Sequence, residues 1–150
     1  MRVVVQRVNF ASVHIEGKIF SQINKGLLVL VGIEHEDTDE DAKWLAHKIV
    51  NLRIFPDEEQ KMNLSVKDIH GEILVVSQFT LHASTKKGFR PSYTRAARPD
   101  IAIPLYNKFI SCIEKELGKK VPTGQFGAYM KISLENDGPV TIIIDSKNKE

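Results

Sequence analysis

The run "GLLVLVGIEHEDTDEDAKWLAHKIVNLRIF", residues 26–55, contains the change of period that decides the fold. Residues 26–33 are almost continuously apolar, a length that suits a strand buried on both faces. From residue 34 the pattern changes. Ala42, Leu45, Ala46, Ile49 and Leu52 fall on one helical face behind an acidic first turn, where the helix dipole favours carboxylates. A sheet with helices laid against it satisfies both halves of the run.

Toward the amino terminus, "MRVVVQRVNFASVHI" (1–15) and "KIFSQI" (18–23) are rich in β-branched and aromatic residues, and "EGK" (16–18) separates them as a hairpin turn does. Toward the carboxyl terminus, "FPDEEQKMNLSVKDIHGE" (55–72) is polar and turn-rich, and "EILVVSQFTLHA" (72–83) reads as a strand alternating between two faces. Ile101, Leu105, Phe109, Ile113 and Leu117 recur every fourth residue, so a second helix is expected from Asp100 to Leu117. Pro104 blurs its start, and Gly118, Lys119 and Lys120 form its stop. "AYMKISLE", "NDGPVT" and "VTIIID" then read as strand, turn and strand. Short connections between strands imply mostly antiparallel pairing. The expected class is α+β: an antiparallel sheet or flattened barrel carrying two main helices.

With 150 residues, 42% of them apolar, the chain fits one compact domain spanning 1–150. A net charge of +2 gives no general field, so affinity for a polyanion must come from a local cluster. The single Cys112 excludes an internal disulfide framework, and no apolar run approaches the ~20 residues of a membrane span. The amino terminus resembles no secretory leader, and a cytoplasmic protein is expected. The acidic run Asp37, Asp39, Asp41 resembles a calcium loop but has Ala42 at its sixth position and Lys48 at its twelfth, where Gly and Glu are needed. The five histidines lack zinc spacing, and no phosphate-binding glycine motif occurs. Neither metal nor cofactor is expected.

Three stretches stand out. "KKGFRPSYTRAAR" (86–98) interleaves Lys86, Lys87, Arg90, Arg95 and Arg98 with Phe89 and Tyr93, without an acid. Such a segment can meet phosphates and stack on unpaired bases; a solvated loop paired to acids elsewhere explains it equally well. "SQFTL" (77–81) ends an apolar strand in Ser77, Gln78 and Thr80. That is either a strand emerging into solvent or a pocket floor, where side chains and strand-end amides hold an oxyanion. No G-x-S-x-G elbow surrounds Ser77, so a serine hydrolase is poorly supported. "NDGPVT" (136–141) puts Gly138 before Pro139, where an ordinary tight hairpin would use Asn-Gly or Gly-Asp, so this turn is built for shape.

"SQFTL" and "NDGPVT", with "KIVNLRIF", "MNLSV" and "GFRPSYTRAA", together resemble the D-aminoacyl-tRNA deacylase family, from "MRVVVQRV" to "VTIIID". The resemblance implies a homodimer that hydrolyses the ester between a D-amino acid, or mischarged glycine, and the 3′ end of tRNA. It places Ser77, Gln78, Phe79 and Thr80 at the ester. It also implies a cis Gly138–Pro139 peptide whose loop reaches into the partner's site, with Arg7 helping to hold that loop. Lys86, Lys87, Arg90 and Arg95 become candidates for the tRNA acceptor phosphates, and Phe89 or Met130 for the terminal adenine. Two chemical routes stay open: attack by Thr80, which nothing nearby in sequence activates, or attack by water assisted by the ribose 2′-hydroxyl. The competing reading is a noncatalytic RNA-binding module built on residues 86–98.

Overall fold

The computed structural model describes residues 1–150. β1 (Arg2–Ile15) turns through Glu16 and Gly17, both at positive φ, into β2 (Lys18–Ile23), and β3 (Gly26–Gly32) follows. Then come α1 (Asp39–Asn51), the small hairpin β4 (Phe55–Pro56) and β5 (Met62–Leu64), and β6 (Glu72–Ser77). A 3-10 turn (Phe79–His82), α2 (Pro99–Leu117) and β7 (Lys131–Asp145) complete the chain.

β1 is the spine of the sheet. Its first half pairs with β3 and its second half with β2, while β7 runs beside both halves, all antiparallel. β6 adds to β3 in parallel, because the long excursion through α1 lets the chain cross back to the same end. The result is a curled mixed sheet with two helices, so the expected α+β class holds and the pairing is mostly antiparallel. No helix is long and apolar enough to cross a membrane.

The curl encloses apolar residues on both sides. Leu27, Val29 and Val31 of β3 join α1 and α2 in the main core, while Leu28 packs with Leu74 and Val76 in a second cluster against Met130, Ile132 and Leu134. β3, as its nearly continuous apolar run predicts, is therefore buried on both faces. In β1, Val3 and Val5 face the helices whereas Val8, Ala11 and Val13 face the second cluster. Irregular pairing between Gln6 and Phe10 shifts the alternation.

Four local expectations change. Residues 136–141 do not turn a hairpin: both flanking segments pair with β1, so Asp137–Val140 bulge outward opposite Arg7 within one long strand. The strand expected over 72–83 stops at Ser77, and the next residues tighten into the 3-10 turn. The polar stretch 55–72 holds the β4–β5 hairpin. Leu52 is the half-buried cap of α1, and Val50 is buried in the last turn. α2 behaves as its period demands: Pro99 opens it, Pro104 is tolerated inside it, and Gly118 closes it with left-handed backbone.

Asp41 binds α1 to the chain end. Its carboxylate accepts the Thr38 N–H at 2.8 Å and the Lys147 ammonium at 2.8 Å. Burial pushes this carboxyl up, but hydrogen bonds from Lys147, Ser146 and Thr38 outweigh it and hold the group well below the usual range. A depressed folded-state value stabilises the protein above the ordinary carboxylate range near pH 4, and that contribution drains away as pH falls below it. Asp41→Asn is expected to cost about 1–2 kcal/mol at pH 7. By urea unfolding, the gap to wild type should narrow at pH 3; an equal gap at both pH values excludes this account.

Candidate active site

β6 brings Ser77 to the end of the sheet, and Gln78 leaves the strand with φ −145° and ψ 80°. The Gln78 N–H still donates to the Val31 carbonyl at 2.7 Å, so the turn stays pinned to β3. Beyond it, Leu81 N–H donates to the Gln78 carbonyl at 3.2 Å and Ala83 N–H to the Thr80 carbonyl at 3.0 Å. The amides of Phe79 and Thr80 have no protein acceptor, as expected at the start of a short helical turn. The strand-end motif thus offers two adjacent amides without a protein acceptor, on a turn pinned to β3.

Ser77, Gln78 and Phe79 line a cavity of ≈ 280 Å³. Its other walls are apolar: Val31 and Val76 from the sheet, Ala97 and Ala102 around the start of α2, and Phe126 to Met130 from the loop before β7. Met130 and the polar turn therefore share one cavity. Thr80 is carried around the turn to a second cleft, lined also by Arg2, Val4, Trp44, Leu81 and Ile142 to Asp145. Its hydroxyl accepts a short hydrogen bond from Gln78 Nε2, and no acid or imidazole bonds to it.

Arg7 is nearly buried. It donates from Nη1 to the Ile54 carbonyl at 2.7 Å and from Nε to the Asp137 carbonyl at 3.1 Å, and it pairs with the Asp137 carboxylate at 3.2 Å. These bonds clamp the bulge in β7. Within it the Gly138–Pro139 peptide is cis, and Gly138 has φ +127°. Gly138 and Pro139 line neither cavity in the single chain. The structure thus brings Arg7 to the bulge and Met130 to the turn, but it leaves these two groups apart.

The basic segment is an exposed hairpin closed by reciprocal backbone bonds between Ser84 and Ser92 at 2.8 and 2.9 Å. Lys86, Lys87 and Arg90 make no ion pair, whereas Arg95 bonds to Glu34 at 2.6 Å. Phe89 stands fully exposed at the tip of the loop, away from the cavity wall. Tyr93 packs edge-on against Phe79, with ring centroids 5.1 Å apart. Sequence reasoning missed the wall formed by Phe126, Ala128 and Tyr129. The two aromatics flanking the Gly127 turn were its only signal.

An α+β scaffold carrying a strand-end turn with unpaired amides at the wall of an apolar cavity, and no activated nucleophile, is the class of site that electrostatic stabilisation suits. The D-Tyr-tRNA(Tyr) deacylase family model matches residues 4–145, and the chain belongs to that family. Curated proteins described as D-aminoacyl-tRNA deacylase align over the full length of both chains, at 69% identity in Flavobacterium psychrophilum and 67% in Parabacteroides distasonis. A solved structure titled c-Myc DNA Unwinding Element Binding Protein superposes with TM-score 0.89 at 43% identity, covering 97% of this chain and 98% of its own. A second, of a probable eukaryotic D-amino acid tRNA deacylase, has TM-score 0.82 at 18% identity, with coverage of 95% and 97%, and supports the fold alone.

Proposed function

We propose that this protein hydrolyses the ester of D-aminoacyl-tRNA, releasing the free D-amino acid and tRNA. The observation that carries the reading is the strand-end turn whose Ser77, Gln78 and Phe79 line the cavity that holds Met130 and whose first amides have no protein acceptor, in a chain of the deacylase family. In this reading the terminal adenine occupies the apolar cavity and the ester carbonyl accepts from the two amides. Water adds to the carbonyl carbon and gives up a proton to the ribose 2′-hydroxyl as that hydroxyl passes its own on, the oxyanion forms against those donors, and the bond to the 3′-oxygen breaks as that oxygen takes the relayed proton. Loss of one such donor costs roughly 3–4 kcal/mol of transition-state stabilisation.

Stereochemical selection is assigned to the Gly138–Pro139 bulge. With the carbonyl fixed by the turn and the α-ammonium accepted by bulge carbonyls, one direction remains for the side chain. A D side chain points to open space, and an L side chain meets backbone. A clash rejects more strongly than a missing contact. Glycine has nothing to clash, so glycyl-tRNA is also a substrate.

In one chain the bulge lines neither cavity, so in this reading the site is completed by a second copy. β7 supports this: it pairs only with β1, its other edge is open over Lys131–Asp145, and Ile143 is 68% exposed beside the cleft that holds Thr80. Ile143→Arg is expected to yield a folded 16.9 kDa monomer without deacylase activity. Full activity in a monomer, checked by sedimentation and tRNA deacylation, rejects the shared site.

Incubation with D-Tyr-tRNA and L-Tyr-tRNA tests the whole reading. Loss of the D ester alone supports it, and an RNA-binding module cleaves neither. Water attack further predicts that Thr80→Ala keeps deacylation within about tenfold of wild type, because an unactivated threonine is a weak nucleophile. A covalent acyl group trapped on Thr80 rules that route out.

A further inference from the structure

His82 ends the turn whose first amides face the ester. Its side chain is fully buried, yet neither Nδ1 nor Nε2 makes a hydrogen bond. The ring is tightly packed: a Cβ added at Gly32 would stand 2.9 Å from His82 Cδ2. A neutral imidazole carries one N–H and one acceptor, and leaving both unpaired in the interior is unfavourable. Beside it lies Glu34, whose Oε1 is 3.3 Å from His82 Nδ1, too poorly aligned for a hydrogen bond. That same oxygen accepts from Arg95 Nη2 at 2.6 Å. Glu34 also bridges to Ala96 through its backbone, and Ala97 N–H donates to the Ile33 carbonyl at 2.8 Å. One largely buried carboxylate therefore stands between the catalytic turn and the basic segment, and it is committed to the basic side.

Arg95 is 57% exposed on a polar cleft lined by Glu34, His35, Glu36 and Lys147. A half-exposed ion pair is weak, so a phosphate can take the guanidinium from Glu34. We propose that Glu34 is a positioning residue that couples RNA contact at Arg95 to the turn bearing the oxyanion donors. While Arg95 holds Glu34, His82 stays unpartnered, so the far end of the turn lacks a polar tie of the kind that pins its start to Val31. When a backbone phosphate draws Arg95 away, Glu34 accepts from His82 Nδ1–H and fixes the turn. This rests on the deacylase reading, and it makes the amino acid ester react faster on an RNA than on a fragment without phosphates.

The test compares kcat on D-Tyr-tRNA with kcat on 3′-O-D-tyrosyl-adenosine, which has the ester and no phosphate. Wild type should turn over the tRNA ester faster by about tenfold, a typical coupling between two sites. Glu34→Gln should erase the gap by slowing the tRNA reaction, and His82→Phe, which keeps the ring packing, should do the same without adding to Glu34→Gln. Arg95→Ala should erase it in the opposite direction, speeding the adenosine ester while raising KM for tRNA. Arg95 is exposed, so this variant folds even if a His82 variant does not. Equal slowing of both esters by Glu34→Gln, or an unchanged gap in Arg95→Ala, overturns the coupling. Wild type that cleaves neither ester overturns the deacylase reading itself.

Discussion

Gly138→Ala is expected to reduce the preference for D-Tyr-tRNA over L-Tyr-tRNA by at least about 100-fold, the scale of a misplacement near 1 Å. Gly138 holds φ +127°, a conformation that residues with a Cβ rarely adopt. An added Cβ would lie 2.9 Å from Val140 Cγ2, 3.0 Å from Arg7 Nη2 and 3.1 Å from the Val140 nitrogen. The last neighbour is backbone. The other close polar atom belongs to the guanidinium that holds Ile54 and Asp137 and cannot yield without releasing them. The bulge must move, and with it the surface assigned to exclude L side chains. Backbone strain of this kind costs about 1–3 kcal/mol, so chemical unfolding should show a parallel loss of stability. The comparison uses both stereoisomers at one enzyme concentration, with a folded-protein check by circular dichroism. A stability loss with the D over L ratio intact places the stereochemical filter somewhere other than residues 138 and 139.

The second large effect belongs to the substrate. A tRNA ending in 2′-deoxyadenosine, charged with D-tyrosine, should bind with nearly unchanged affinity and react about 100- to 10,000-fold more slowly, the usual range for a lost acid–base group. The structural reason is negative space around the reacting atoms. Ser77 and Gln78 line the cavity, Thr80 is bonded to Gln78, and no imidazole or carboxylate bonds to any hydroxyl of the turn. On the proposed reading the protein supplies amide donors and shape, and the proton chemistry falls to the neighbouring hydroxyl and water. Single-turnover rates with excess enzyme separate this from weaker binding. Equal rates on the two tRNAs would require a protein base.

The polar strand end and the Gly138–Pro139 bulge differ in how legible they are in the sequence. The polar strand end was visible because Ser77, Gln78 and Thr80 interrupt an apolar run, and only its shape was misjudged. Alternation assumes extended backbone, whereas Leu81 N–H donating back to the Gln78 carbonyl closes a 3-10 turn instead. That turn sends Thr80 to a different cleft from Ser77, which no period-two reading can show. "NDGPVT" likewise stood out by composition. Its turn was read as a hairpin, because Pro and Gly between two strand-like runs carry the same local signal whether the runs pair with each other or with a third strand.

Local chemistry settled the elements. Apolar periods of two and four residues, the caps of both helices and the turn at Glu16 and Gly17 each depend on neighbours within one or two turns of chain, so the sequence by itself determined the α+β class and the two unusual stretches. Tertiary structure alone decided that β1 carries β7 along its full length, that Arg7 clamps residues 54 and 137, and that Glu34 stands between His82 and Arg95. These contacts join residues from 47 to 143 positions apart. Their partners are chosen by which faces the curled sheet buries together, and a burial pattern specifies that a side chain is covered without specifying what covers it.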